Sequence, residues 1–204
     1  MRFSIVIALT GLICVGCSRL EIVTPVELKA TGSNDTYALV NRVLAPGFNA
    51  VETPDCGHKE FGPHITQIFD QTLNQYVFRF HAHRDHDDDR CQKSDRQRTE
   101  IKAYAKSPEP LLAKLGDVHT FRWKFKLDQN FQGSGRFTHL HQIKAVGGYE
   151  DSMPLVTLSA RKGKAGQPST FELNYSKGLK QRVLHSVELQ PFLGVLQKAR
   201  KLVT

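Results

Sequence analysis

Hydrophobic and polar residues alternate with a period of two along much of the chain after residue 65. In NQYVFRFHAH, the aromatic residues face one side of the predicted strand, whereas Arg79, His81 and His83 face the other. HTFRWKFKL repeats this pattern, with Arg122 and Lys124 on its polar side. Because the strands are short and separated by turn signals, they predict an all-β fold, an antiparallel β-sandwich of the jelly-roll, concanavalin-like type. Further strands are predicted in RTEIKAY, FTHLHQIKAV, PLVTLSAR, TFELNYS and RVLHSVELQ.

Three short segments have helical rather than strand spacing. TYALVNRVL follows Asn34 or Asp35 as a capping residue and stops at Pro46-Gly47. SPEPLLAKLG predicts a helical turn that ends at Gly116. The final stretch, FLGVLQKARKLVT, resembles a short amphipathic helix more than a strand. Because SPEPLLAKLG is expected to form only a turn, one or two short helices are expected beside the sheets.

Charged residues alternate in DRQRTEIKAY. Arg96, Arg98, Glu100 and Lys102 point to one face of the predicted strand, and Ile101 points to the core. A solvated face is the plain interpretation, because antiparallel sheets commonly face water on one side. Cations recur on the polar sides of several strands, however, which favours a face that binds an anionic chain.

The segment FTHLHQIKAV extends this argument. Gln142 and Lys144 lie on its polar side, opposite Ile143, and His141 falls on the apolar side as a packed structural residue. If the strands share one sheet, Arg98 and Gln142 are expected side by side on its exposed concave face.

The N-terminus, MRFSIVIALTGLICVGC, has the charge and apolar run of a signal peptide, assigned to residues 1–17. Cys17 is either a lipid acceptor or lies close to an ordinary cleavage site, so the protein is expected to be secreted or membrane-tethered outside the cytoplasm. Residues 18–33 are interpreted as a tether and residues 34–204 as a single domain. The protein is expected to be a monomer. Of the four cysteines, Cys14 is removed with the signal peptide and Cys17 lies at its end, so Cys56 and Cys91 remain as an even pair. In an oxidising compartment this pair predicts a disulfide; two buried thiols are the alternative.

The formal net charge of +8 suits a polyanionic partner. Export argues against nucleic acid, and neither zinc-finger spacing nor an aromatic RNA-binding signature is present. An acidic polysaccharide fits both properties. The chain also lacks a Gly-x-Ser-x-Gly elbow, a phosphate loop and a dinucleotide fingerprint, which argues against serine hydrolase and nucleotide chemistry.

The pair DRQRTEIK and HQIK resembles two strand motifs of the alginate-lyase-like and glucuronan-lyase-like polysaccharide lyases. The resemblance covers roughly residues 55 to 190 and implies a β-jelly roll that cleaves uronic-acid polymers by β-elimination. Such chemistry needs a group that neutralises the substrate carboxylate, a base for the C5 proton and an acid for the leaving oxygen.

The resemblance implies a role for each matching residue. Arg98 and Gln142 would bind the carboxylate, and Glu100 would orient Arg98. Lys144 stands where the family has histidine and would supply a fixed charge, so His81 or His83 is the expected base. The predicted substrate-binding residues are Arg96, Glu100, Lys102, Arg122 and Lys124.

The family's late strand motif, Tyr-x-Lys-x-Gly-x-Tyr, has no counterpart here, which predicts a domain that lacks its last one or two strands. A non-catalytic module that binds acidic polysaccharide on the same cationic face is therefore the alternative, and a structural surface protein is a third possibility.

HAHRDHDDDR contains possible metal ligands. Asp85, Asp87 and Asp89 offer oxygens to Ca²⁺, but the segment lacks the glycine and distal glutamate of an EF-hand, and a solvated acidic loop is the alternative. A zinc site could be formed by His81, His83 and His86, but it lacks a clear fourth ligand. The sequence predicts no cofactor.

Overall fold

The structure is a computed structural model that describes residues 25–83 and 88–203, with side chains as far as residue 199. The chain divides into two compact units, Met1–Ala113 and Lys114–Thr204. Strands predominate in the regular structure of the described residues, with one α-helix and three short 3-10 helices. All strands of the sheets pair antiparallel, so the all-β prediction is confirmed. No helix among these residues has the length and apolar character needed to cross a membrane.

Helix α1, Thr36–Leu44, opens the regular structure of the first unit. Asp35 caps it, because its Oδ1 accepts a hydrogen bond from the Ala38 backbone N–H at 3.0 Å. Leu39 and Val40 are buried on one side of the helix. The predicted helix is confirmed, and of the two capping candidates, Asn34 and Asp35, it is Asp35 that caps it.

Three two-stranded sheets follow in the first unit. They pair β1 (Val51–Glu52) with β6 (Glu100–Ile101), β2 (Ile65–Asp70) with β3 (Gln75–Phe80), and β4 (Asp88–Asp89) with β5 (Lys93–Gln97). RTEIKAY is therefore not one continuous strand, because residues 98 and 99 separate β5 from β6. The predicted helical turn of SPEPLLAKLG is a 3-10 helix of three residues, Glu109–Leu111.

The core of the first unit lies between α1 and the strands. Val40, Val51 and Ile65 are at its centre, each at most 5 % exposed. Phe78 and Ile101 pack against them from β3 and β6. Ile101 is therefore a core residue, as its position between the charged residues predicted.

The second unit contains a four-stranded sheet and a two-stranded sheet. The larger sheet has the order β11-β10-β9-β8, from β8 (Thr138–Lys144), β9 (Pro154–Arg161), β10 (Thr170–Lys177) and β11 (Lys180–Glu188). The smaller sheet pairs β7 (His119–Phe125) with β12 (Gln197–Val203). Short 3-10 helices occur at Tyr149–Ser152 and Gln190–Phe192. The core consists of Leu127, Ala160, Phe171 and Leu189, with apolar neighbours that include Phe125 and Phe192.

The prediction of a C-terminal helix is wrong, because residues 197–203 form β12. Every residue of this strand has a partner in β7. An isolated helix of this length is marginal in water, whereas pairing with β7 satisfies the backbone groups of the segment.

The strict alternation predicted for β8 is also wrong at Leu140. The register with β9 shifts there, so that His139 lies opposite Ser159 and Gln142 lies opposite Thr157. An extra residue in one strand reverses the facing of every residue beyond it. His139 and Gln142 therefore share a face, although their odd and even positions had put them on opposite faces.

Candidate functional site

Arg98, the residue predicted to bind a substrate carboxylate, is bound by carboxylates of the protein itself. Its Nη1 donates to Glu52 Oε2 at 2.7 Å and to Glu100 Oε2 at 2.9 Å. Its Nε lies 3.3 Å from Asp89 Oδ1. Lys102 also donates to Glu52, through Nζ.

Arg90 completes this group by donating to Glu52 Oε1 at 2.9 Å and to Asp89 Oδ1 at 2.8 Å. The Glu52 cluster is defined as Glu52, Asp89, Arg90, Arg98, Glu100 and Lys102. Three carboxylates face three cations, so the formal charges cancel. The cluster leaves no net positive charge for a ligand.

The carboxylate at the centre of the cluster is buried, since the Glu52 side chain is 6 % exposed. Burial alone would raise the pKa of Glu52, but the hydrogen bond from Lys102 and the charges of Lys102, Arg98 and Arg90 outweigh it, so the pKa is lowered. Glu52 is therefore held ionised by its partners, as a paired interior carboxylate requires.

The cluster brings together three of the residues predicted to share a strand face, Arg98, Glu100 and Lys102, although Arg98 lies between β5 and β6. Arg96 does not join them, because its Nη2 pairs with the adjacent, exposed Asp95 at 2.7 Å. Sequence reasoning missed Glu52. Its position in a two-residue strand, far along the chain from Arg98, gave no signal of the contact.

A second group of ionisable residues lies around His64, which is fully buried. Its ring Nδ1 is 2.7 Å from Asp55 Oδ1, which also accepts the His64 backbone N–H at 3.1 Å. Tyr37 donates its hydroxyl to Asp55 Oδ2 at 2.7 Å. Burial tends to raise the pKa of Asp55, but the hydrogen bonds from Tyr37 and His64 outweigh it and lower that pKa.

His64 contacts two further histidines. Its Nε2 lies 3.2 Å from His83 Nδ1, and the His83 ring stacks on the His58 ring with centroids 4.8 Å apart. Phe61 packs edge-on against His83 at 4.4 Å. We call His58, His64 and His83 the histidine triad. The two half-buried members, His58 and His83, border a pocket of about 560 Å³ whose other lining residues are Cys56, Gly57, Lys59, Glu60 and Phe61.

The disulfide between Cys56 and Cys91 joins the loop of His58 to the turn of Arg90, so the predicted pairing is confirmed. Arg90 and Cys91 have φ values of 53° and 56°, in the left-handed region that residues other than glycine rarely adopt. The disulfide and the ion pairs of Arg90 hold this turn in place.

His81, a predicted base, lies just after β3 rather than on it. Its Nε2 accepts a hydrogen bond from Arg79 Nε at 3.0 Å. Burial, and then the charges of Arg79, His64 and His83, lower the pKa of His81. The ring is neutral at pH 7, but Arg79 occupies the nitrogen that a base would use.

The outer face of the β7–β12 pair differs from the Glu52 cluster. Arg122 and Lys124 are exposed on β7, and Lys198 of β12 lies directly opposite Lys124. Among the residues that the structure describes, none forms an ion pair with these three side chains. We call Arg122, Lys124 and Lys198 the cationic face.

The other side of β7 anchors this pair to the unit. The Trp123 ring lies over the His141 ring, with centroids 4.5 Å apart, and Phe125 belongs to the core. His141 is therefore packed among aromatic residues, as predicted from its position.

One side of the four-stranded sheet is unusually polar. Gln142, Thr157 and Asn174 occupy neighbouring positions across β8, β9 and β10. Asn174 is 1 % exposed, and neither atom of its side-chain amide has a hydrogen-bond partner among the described residues. A buried amide without a partner costs roughly 1–3 kcal/mol.

His139 lies on the same side of this sheet. Its Nδ1 is 2.7 Å from Ser159 Oγ, which donates its own proton to Thr157 Oγ1 at 3.1 Å. Ser159 therefore accepts the Nδ1–H of His139, and the lone pair lies on Nε2. Burial and then the charge of Arg161 lower the pKa of His139, so the ring is neutral at pH 7. The structure thus adds a candidate base that alternation had assigned to the apolar side.

The predicted catalytic residues fall in both units: Arg98, His81 and His83 in the first, and Gln142 and Lys144 in the second. The expectation that RTEIK and HQIK share a sheet is wrong, because β6 pairs only with β1 while β8 pairs with β9. The physical reason is that the short strand β6 satisfies its backbone groups by pairing with β1, where Ile101 lies opposite Val51. A joint action of Arg98, Gln142 and the exposed Lys144 stays a prediction.

The calcium prediction concerns three aspartates, of which Asp85 and Asp87 lie outside the described residues, as does His86. Asp89 is 1 % exposed and paired with Arg90 and Arg98, so its oxygens already have cationic partners. The calcium site stays a prediction.

Comparison of the chain with protein-family models, with curated proteins and with solved structures finds no match.

Proposed function

We propose that the protein binds an acidic polysaccharide through the cationic face. The observation that carries this proposal is that Arg122, Lys124 and Lys198 are exposed on adjacent strands and form no ion pair with a described residue. Arg122 and Lys124 are two of the residues that sequence analysis assigned to substrate binding.

These cations are spaced so that several of them can contact the carboxylates of one polymer chain at the same time. Residues two apart on a strand lie roughly 6.8 Å apart, and strand neighbours lie roughly 5 Å apart. An arginine binds a carboxylate through two parallel hydrogen bonds, whereas lysine acts as a point charge. Exposed ion contacts are weak singly, so affinity must come from several of them acting along one polymer.

Binding to alginate and glucuronan tests this proposal, with a neutral dextran as the reference polymer. Replacing Arg122, Lys124 and Lys198 by glutamine should weaken binding about tenfold, from roughly 0.5 kcal/mol per exposed contact. Binding of the unaltered protein should also weaken as salt is added, because salt screens exposed charges.

The matched control replaces three other exposed lysines, Lys162, Lys164 and Lys180, by glutamine and removes the same charge. Binding should change by less than about twofold, because these lysines lie outside the β7–β12 pair and exposed charges contribute little through screened long-range attraction. Equal losses in both triple variants would show diffuse attraction to net charge and would overturn the assignment. Duplex DNA bound as tightly through the same face would replace the polysaccharide as the partner.

Cleavage by β-elimination, which the family resemblance implies, is the second candidate, and the shared face of His139 and Gln142 favours it. The Gln142 amide would bind the carboxylate, and His139 Nε2 would take the C5 proton. As the C4–C5 double bond forms, the C4–O bond breaks, and the leaving oxygen takes a proton from the imidazolium.

The unsaturated uronic end formed by elimination absorbs ultraviolet light, so incubation with each polymer tests cleavage directly. Replacing His139 by glutamine should lower the rate by roughly 10²–10⁴-fold, while replacing His185, an exposed histidine of β11, should leave it unchanged. Retention on the polymer without any rise in absorbance would leave a binding module as the function.

A further inference from the structure

The three imidazoles of the histidine triad meet in space although they are distant in sequence. Each of His58, His64 and His83 offers one ring nitrogen, and these three atoms lie within 4.8 Å of one another. We propose that the triad is a binding site for a divalent transition metal, with Zn²⁺ as its physiological ion. This inference does not depend on the proposed function, because the triad belongs to the first unit and the cationic face to the second.

The separation of two of the nitrogens matches that of two ligands on one ion. His64 Nε2 and His83 Nδ1 are 3.2 Å apart. Two nitrogens bound at about 2.0–2.1 Å to a tetrahedral zinc ion are separated by about 3.3 Å. An ion can therefore take the place of the proton between these rings with little movement, and a small rotation of His58 brings in the third ligand.

The residues behind His64 are arranged as in the outer shell of a metal site. Asp55 accepts the Nδ1–H of His64 at 2.7 Å, which leaves the His64 lone pair on Nε2, the atom that faces His83. Tyr37 and the His64 backbone N–H in turn hold the Asp55 carboxylate. Carboxylates in this position fix the tautomer of a ligating histidine and raise its basicity.

The ligands are also held on a supported framework. The disulfide fixes Cys56, two residues before His58, and the Phe61 ring packs against His64 at 5.0 Å and His83 at 4.4 Å. The adjoining pocket of about 560 Å³ leaves room for a water or another ligand at the fourth position. Three histidines with an open fourth position are a known form of zinc site, and imidazole favours zinc, copper and nickel over calcium and magnesium.

The test uses the complete, untagged and oxidised protein, freed of metal with a chelator and dialysed against Zn²⁺. We expect one ion per chain. Co²⁺ should bind in its place and show the visible absorption of tetrahedral coordination. Zinc should also raise the unfolding temperature, because a ligand that binds only the folded state stabilises it.

Replacing His58 or His83 by glutamine should weaken zinc binding at least tenfold and remove the cobalt spectrum. Both residues border the pocket and lie outside the core, so a folded variant is expected, and circular dichroism checks it. Replacing Asp55 by asparagine should weaken binding 10–100-fold through the His64 tautomer.

The matched control is His81→Gln, which removes a neighbouring histidine that is not a proposed ligand and should leave the affinity unchanged. Binding weaker than millimolar, a stoichiometry that survives loss of both His58 and His83, or an equal loss in the His81 variant would each overturn the site. A metal-bound His83 cannot be the base that its sequence position suggested.

Discussion

The Glu52 cluster and the cationic face arise from the same kind of sequence pattern. DRQRTEIK and HTFRWKFKL both alternate cations with other residues. In the first, Arg98 and Lys102 meet the buried carboxylate of Glu52. In the second, Arg122 and Lys124 meet no carboxylate of the described chain. Alternation therefore determines which way a cation points, and the residues it meets determine whether it stabilises the fold or remains available to a ligand.

The acidic residues mark this difference in the sequence. Asp95 and Glu100 are interspersed with the cations of DRQRTEIK, whereas neither HTFRWKFKL nor the paired segment QKARKLV contains an acidic residue. Cationic strands without acidic residues are thus better candidates for binding polyanions than strands of mixed charge.

The largest effect expected in the neighbourhood of the Glu52 cluster is that of the disulfide. Replacing Cys56 and Cys91 by serine should lower the free energy of unfolding by roughly 3–4 kcal/mol, because the closed loop spans 35 residues. Urea unfolding measures the loss. A reductant should destabilise the unaltered protein but not the double variant; equal sensitivity of both would contradict the disulfide as the cause.

Replacing Glu52 by glutamine should have the next largest effect. The variant removes the charge that Arg90, Arg98 and Lys102 share, and we expect a loss of about 2–3 kcal/mol, since these cations are partly exposed and regain some hydration. The control is Glu27→Gln at an exposed position, which should stay within about 0.5 kcal/mol. A Glu52 variant as stable as its control would show that the cluster does not support the fold.

A matched pair of arginine variants tests the comparison most directly. Arg98→Ala should cost about 2 kcal/mol, because it leaves the buried Asp89 and Glu52 with fewer partners. This differs from the expectation for a free binding residue, whose removal would barely affect folding. Arg122→Ala should cost less than about 0.5 kcal/mol yet weaken polysaccharide binding. The reverse outcome, a stable Arg98 variant that no longer binds, would restore Arg98 as the ligand residue.

The smallest expected effect is the contribution of Glu52 to the pH dependence of stability. The pKa of Glu52 is lowered from 4.5 in the folded state, so its stabilising contribution is present above about pH 4.5 and is lost as the pH falls through the lowered value. The free energy of unfolding, measured across this range, should fall less steeply in the Glu52→Gln variant. Loss of the charges of the cationic face should not alter that slope, because Arg122 and Lys124 stay charged throughout.

Several features followed from the sequence alone because their causes are local or, for the disulfide, because few pairings were possible. Asp35 stands directly before an amphipathic segment and caps it. Period-two alternation located the strands of the four-stranded sheet and placed Ile101 in the core. Cys56 and Cys91 were paired by elimination, once the compartment and the number of cysteines were taken together.

Tertiary structure decided the features that depend on partners far along the chain. Glu52 meets Arg98 across 46 residues, and His64 meets His83 across 19. No local period records such contacts. The single extra residue at Leu140 moved His139 to the face of Gln142, and pairing with β7 made a strand of a segment with helical spacing. Side-chain periodicity specifies a face within one element, but hydrogen bonding and charge pairing between elements decide what that face meets.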